Sequence, residues 1–129
     1  MDVTARRNLL RTRTNPDQRQ DYVVTLRGRL SAAGAGTVVL LRYVPDKLVI
    51  ESESLNTYLL GLGGMAWDGL EDMAVTVLED VSNETVARWV QVEMTAEEGD
   101  MNTIGHSVML EDRQPKWDNP SLLARLGSG

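Results

Sequence analysis

The sequence predicts an α+β domain in which an antiparallel four-stranded sheet carries two helices on one face. Three observations point there. Two pairs of segments alternate apolar and polar residues, and the stretch between the pairs repeats its apolar residues at three and four. The length of 129 residues, 42% hydrophobic and 25% charged, suits one compact domain. The chain is too apolar to be disordered, and no apolar run approaches the roughly 20 residues that a membrane-crossing helix needs. The expected organisation is a basic N-terminal arm over 1–20, a single domain over 21–112 and an irregular tail over 113–129.

The first strand is expected over Asp21 to Leu30, where Tyr22, Val24, Leu26 and Leu30 share one side and Thr25, Arg27 and Arg29 the other. The small, glycine-rich run from Ser31 to Gly36 then turns the chain into the β-branched run Thr37 to Tyr43, completing a hairpin. Val44-Pro45-Asp46-Lys47 reads as a turn, because proline fixes its own φ and moves the preceding residue out of the helical region. Leu55, Tyr58, Leu59 and Leu62 have helical spacing within Ser54 to Leu62, and Gly61, Gly63 and Gly64 end or kink that helix. A second helix is expected from Asp68, with Leu70, Met73, Ala74, Val77, Leu78 and Val81 on its apolar face and Glu71 placed as in a capping box. Alternation returns over Val86 to Met94 and Thr103 to Leu110, joined by the acidic turn Thr95 to Asn102. A sheet of this kind leaves long edges, so association of copies through sheet edges is expected.

Composition removes several chemistries. There is no cysteine, which excludes disulfides, thiolate metal sites and cysteine nucleophiles. One histidine, His106, cannot build a zinc site of several imidazoles, and neither a metal nor a cofactor is expected. The net charge of -6 disfavours nucleic acid and anionic lipid as partners. Charge is uneven, since residues 1–30 carry a local balance of about +4. That arm is either a phosphate-touching segment or a solvated, partly disordered leader. Met1 to Arg13 lacks the apolar region of a secretory signal, so a cytoplasmic location is expected. Arginine far outnumbers lysine, which suits a GC-rich genome or a salty cytoplasm, including that of a host in which a virus-encoded protein acts.

The segment from Tyr43-Val-Pro45-Asp46-Lys47 through Glu51-Ser52-Glu53-Ser54-Leu-Asn56-Thr57-Tyr58-Leu59 resembles the 7-cyano-7-deazaguanine reductase (QueF) family. Members carry Y-x-P-D-K followed by E-S-K-S-x-K-x-Y-L, on the tunnelling fold that pterin synthases also use. The likeness runs from about Asn15 to Asn102, most of the domain. It implies a homo-oligomer closing into a β-barrel, with a base-binding pocket between subunits. The positions that would carry nitrile reduction depart from the pattern. The family's cysteine-proline pair corresponds to Asn15-Pro16, so the thiol that adds to the nitrile is missing. The following aspartate, which moves protons, corresponds to Asp21. Both phosphate-holding lysines are replaced, by Glu53 and Asn56, and the arginine of a late R-G-G stretch falls near Ile104. The family's F-H-E appears as Ala66-Trp67-Asp68, preceded by a short deletion. In that resemblance the acid grips the guanine-like edge of the base. One carboxylate suits that edge because it accepts from a ring N–H and an exocyclic amine side by side.

Each candidate has a plainer reading beside the functional one. Asp68 is a helix N-cap, a base ligand, or both. Glu51 and Ser52 are base-binding residues or turn residues. Trp67 is a stacking wall or a packing residue. His106, in phase with Ile104, Val108 and Leu110, is a packed histidine or a catalytic one, and Glu97, Glu98 and Asp100 form a solvated turn. The surviving groups favour decarboxylation of 7-carboxy-7-deazaguanine, which needs a held base and one proton donor but neither thiol nor nicotinamide. Asp68 would hold the base and Asp21 or His106 would deliver the proton. The alternatives are an NADPH-dependent nitrile reductase, which the missing thiol and the acidic phosphate site oppose, and a noncatalytic deazaguanine-binding subunit. The destination of a product in tRNA, in DNA or as a free metabolite leaves no mark on the sequence.

Overall fold

The structure, a computed structural model, describes residues 1–30, 36–96 and 104–126. In chain order it contains helix α1 (Val3–Arg7), strands β1 (Thr12–Thr14), β2 (Val24–Leu30), β3 (Thr37–Val44) and β4 (Leu48–Ile50), helices α2 (Ser52–Gly63) and α3 (Leu70–Thr85), strands β5 (Trp89–Ala96) and β6 (His106–Arg113), and helix α4 (Pro120–Ala124). Four strands form an antiparallel sheet in the order β2-β3-β5-β6. With α2 and α3 between its two hairpins, this is the β-β-α-α-β-β arrangement of the sequence pattern. Most of the Ser31 to Gly36 loop and of the Thr95 to Asn102 turn, including Glu97, Glu98 and Asp100, lies outside the described residues.

Strand alternation and helical periodicity meet in one core. Val39, Leu41 and Tyr43 of β3 and Val90, Val92 and Met94 of β5 are buried, as are Leu55, Tyr58, Leu59 and Leu62 of α2 and Met73, Ala74, Val77 and Val81 of α3. A side chain of this size contributes about 1.5–3 kcal/mol when fully removed from water. Helix α2 lies on β2, and α3 lies on β5 and β6. The first contact depends on Gly28, where an added Cβ would sit 2.5 Å from Leu59 Cδ1. A strand residue without a side chain lets the helix approach.

The N-terminal residues are part of this structure and not a solvated leader. Asp2 caps α1 by accepting from Ala5 N at 2.7 Å, and β1 pairs antiparallel with β4, a short second sheet that alternation over three residues was too brief to reveal. Leu10 is buried in the core. Two of the arm's arginines are used internally. Arg6 Nε and Nη2 donate to the two Asp80 oxygens at 2.5 and 2.9 Å, Arg7 Nε donates to Asp80 Oδ1 at 2.8 Å, and Tyr58 Oη donates to Asp80 Oδ2 at 2.5 Å. This network joins α1, α2 and α3 around a carboxylate with no solvent exposure. Burial alone would raise the Asp80 pKa, but the hydrogen bonds from Arg6, Tyr58 and Arg7 outweigh it and hold the group below its usual range.

Helix α3 starts and ends differently from the sequence reading. Its N-cap is Gly69, not Asp68, and Glu71 has no capping-box role. Asp68 is instead exposed in the α2–α3 connection. Val86, expected to begin a strand, occupies the left-handed region at φ 47° and closes α3 by donating its N–H to Ser82 O at 2.9 Å. The C-terminal segment contains α4, whose N-cap Asn119 accepts from Leu122 N at 3.2 Å.

Candidate functional site

A cleft of about 730 Å³ lies between the start of β2, the end of β3 and the first turn of α2. Val24, Leu26, Val49 and Ile50 supply apolar walls, and Arg13, Tyr22, Tyr43, Glu51, Ser52 and Glu53 supply polar groups. A smaller hollow of about 300 Å³ adjoins it, sharing Glu51 and Glu53 and adding Arg11.

Local hydrogen bonds explain why the acidic pair stands at this mouth. Glu51 donates its backbone N–H to Arg11 O at 2.9 Å, continuing the β1–β4 pairing to the start of α2. Buried Ser54 accepts from Arg11 N at 2.9 Å and lies 2.7 Å from Glu51 O, to which its hydroxyl donates. Tyr43 Oη accepts from Ile50 N at 2.8 Å and fixes the residue immediately before Glu51. Burial pushes the Tyr43 pKa up, so its hydroxyl stays a neutral phenol in the cleft wall. Glu51, Ser52 and Glu53 themselves remain exposed. The cleft therefore offers two solvent-reachable carboxylates beside an apolar slot.

Asn15 does not replace the family's thiol with another reactive group. It is buried at 3% exposure, its Nδ2 donates to Asp46 O at 2.8 Å, and its Oδ1 accepts from Tyr22 Oη at 2.5 Å and from Asp17 N at 3.1 Å. Its backbone N–H donates to Lys47 O at 2.9 Å. Both acceptor sites of the amide oxygen are filled. Asn15 is a structural hub that shapes the wall through Tyr22, while Pro16 lines the cleft directly.

The other expected site residues are scattered. Asp21 follows the same wall, but its carboxylate accepts from Arg88 Nη1 at 3.0 Å, Trp117 Nε1 at 3.2 Å and Asn119 Nδ2 at 3.0 Å. With its oxygens engaged by Arg88, Trp117 and Asn119, Asp21 anchors the C-terminal segment and does not line the cleft. His106 sits at the opposite end of the sheet. It pairs with Ala96, which pairs with Thr37, whereas the cleft lies where Val24 pairs with Tyr43. Thr37 and Tyr43 are six residue steps apart on β3, about 20 Å along the sheet. Exposed His106 lies 3.1 Å from Glu71 Oε2, so within one chain it does not serve the cleft. Asp68 is likewise absent from the lining, and Trp67 packs against the core with Nε1 donating to Leu62 O at 2.9 Å. Asn56 is exposed on α2, and Ile104 is exposed before β6.

Arg13 and Tyr22 belong to the cleft and were not singled out in the sequence. Tyr22 could have been found from its place on the apolar side of the first strand. Arg13 could not, since its position depends on the unforeseen β1–β4 pairing. Among the described residues, no cluster of three or more acidic or histidine side chains could hold a metal ion, and no helix is long and apolar enough to cross a membrane.

No protein-family model and no curated protein matches the sequence. Among solved structures, the apo crystal structure of the archaeosine synthase QueF-Like matches with a TM-score of 0.51 and 18% identity, over 70% of this chain and 90% of that one. The chain has the QueF-like fold. That finding agrees with the four-stranded sheet and paired helices expected of the tunnelling fold. Glu51 and Glu53 line both hollows, with Arg13 the cation of the larger and Arg11 that of the smaller. Two acids against two arginines leave no excess of positive charge for the phosphates of the nicotinamide dinucleotide that a reductase on the QueF-like fold would need, so that group does not fit the residues present.

Proposed function

We propose that the protein binds a 7-deazaguanine-type base in the 730 Å³ cleft and acts on it without a thiol. The supporting observation is the pairing of an apolar slot, lined by Val24, Leu26, Val49 and Ile50, with the Glu51 and Glu53 carboxylates at its mouth. The slot suits a flat heterocycle, and Glu51 accepts the ring N–H and exocyclic amine of its guanine-like edge in a charge-assisted pair. Likeness to an archaeosine synthase of the same fold supports a substrate from modified-guanine metabolism.

The reaction these groups suit is decarboxylation of 7-carboxy-7-deazaguanine. Glu53 relays a proton from water to C7 of the electron-rich pyrrole. The bond from C7 to the carboxylate then breaks, its electron pair returns to the ring, and carbon dioxide leaves. In this assignment Glu51 and Glu53 take the roles that Asp68, Asp21 and His106 were expected to fill. Free edges on β2 and β6 invite further copies of the chain, whose residues would close the mouth.

The test is mass spectrometry after incubation with 7-carboxy-7-deazaguanine and, separately, with 7-cyano-7-deazaguanine plus NADPH. Loss of carbon dioxide from the acid, abolished in Glu53→Gln, is the expected result. Reduction of the nitrile would overturn it. Binding without turnover would favour the noncatalytic subunit, a reading supported by the distance of His106 from the cleft and the saturation of Asp21.

A further inference from the structure

Arg13 is the single cation among the residues lining the main cleft. It extends from β1, where it pairs with Val49, and is exposed. Among the described residues, Arg13, Glu51 and Glu53 enter no ion pair, although all three line the same hollow. The other basic residues of the N-terminal arm behave differently, since Arg6 and Arg7 are spent on Asp80. Arg13 is also close enough to act electrostatically on Tyr43, whose hydroxyl is in the cleft wall.

We infer that Arg13 reads the substituent on the bound heterocycle, selecting a carboxylate over a neutral group. This rests on the base-binding reading of the cleft. An anionic substituent brought beside the Glu53 carboxylate is repelled by it, and Arg13 is the one lining cation able to offset that repulsion with paired N–H donors. A nitrile needs no such partner. An aminomethyl substituent, being cationic, is repelled by Arg13 and attracted by Glu53. Arg13 against Glu53 therefore orders ligands by charge at a single position of the ring, while the apolar walls and Glu51 hold features that the three ligands share. Replacing Arg13 removes no ion pair among the described residues, so its effect is read on the ligand.

The experiment is calorimetric titration of wild type, Arg13→Gln and Arg13→Lys with 7-carboxy-, 7-cyano- and 7-aminomethyl-7-deazaguanine. Arg13→Gln should weaken the acid by about tenfold, the scale of one charge-assisted hydrogen bond. It should leave the nitrile within about twofold. Arg13→Lys should recover part of the loss, because it restores charge but not the planar fork. Equal weakening of all three ligands would overturn the inference by making Arg13 a shaping residue, and so would no change in any. Failure of wild type to bind any of the three would instead overturn the base-binding reading on which the inference rests, so the two failures are distinguishable.

Discussion

Replacing Asp80 with asparagine should unfold the packing of three helices more readily than any surface change. Asp80 has no solvent exposure, while the side chains of its partners Arg6 and Arg7 are 11% and 26% exposed. Asparagine keeps the shape and one acceptor oxygen but removes the charge that both guanidinium groups share. Breaking a buried ion pair from one side costs about 3–5 kcal/mol, because the remaining charge stays desolvated. Partial exposure of the two arginines and the retained oxygen place the expected loss at the lower end, about 3 kcal/mol. For a domain of this size that is a fall in Tm on the order of 10 °C. The pH profile gives a second signature. Asp80 is held below its usual pKa, so its stabilisation is fully present above the unfolded value of about 3.9 and is lost as pH falls through the lower folded value. Wild type should therefore lose stability below about pH 4 more steeply than Asp80→Asn. Urea denaturation at neutral and acid pH measures both. A neutral-pH loss under about 1 kcal/mol, or parallel acid limbs, would refute the assigned network.

Three further outcomes follow from named contacts. Gly28→Ala should push Leu59 and α2 away from β2, with a loss of about 1–3 kcal/mol by thermal denaturation. Arg88→Ala removes donors to Gln18 O, Gln20 O, Asp21 and Asp46, so cleavage after Arg19 in limited proteolysis should accelerate as the wall carrying Tyr22 loosens. His106→Ala should leave base affinity within about twofold, whereas a tenfold loss in calorimetry would bring a second chain's histidine to the cleft.

The sheet and its helices were legible because long periodic segments record which side of each element is buried. Leu55, Tyr58, Leu59 and Leu62 face the core as their spacing implied. Short elements left weaker traces. β1 and β4 have three residues each, too few for alternation to register, yet their pairing sets Arg13 at the cleft and leads into Glu51. Glu51 and Ser52 were found through the family-like segment, which runs along the cleft's edge. Asp21, Asp68 and His106 lie outside the cleft lining, because equivalence along a sequence does not specify where a carboxylate or imidazole points. Asp21 is turned aside by Arg88, Trp117 and Asn119, two of which come from a tail that reads as irregular. Loss of the capping role at Asp68 reflects a helix that begins one residue later than its polar signal, with Gly69 as the cap.

The most direct test of the central claim is calorimetric titration of 7-carboxy-7-deazaguanine into wild type and Glu51→Gln. Saturable binding to wild type, weakened about tenfold or more in Glu51→Gln, is the result expected if this carboxylate holds the base edge. Equal affinity in the two proteins, or no binding to wild type, would contradict it.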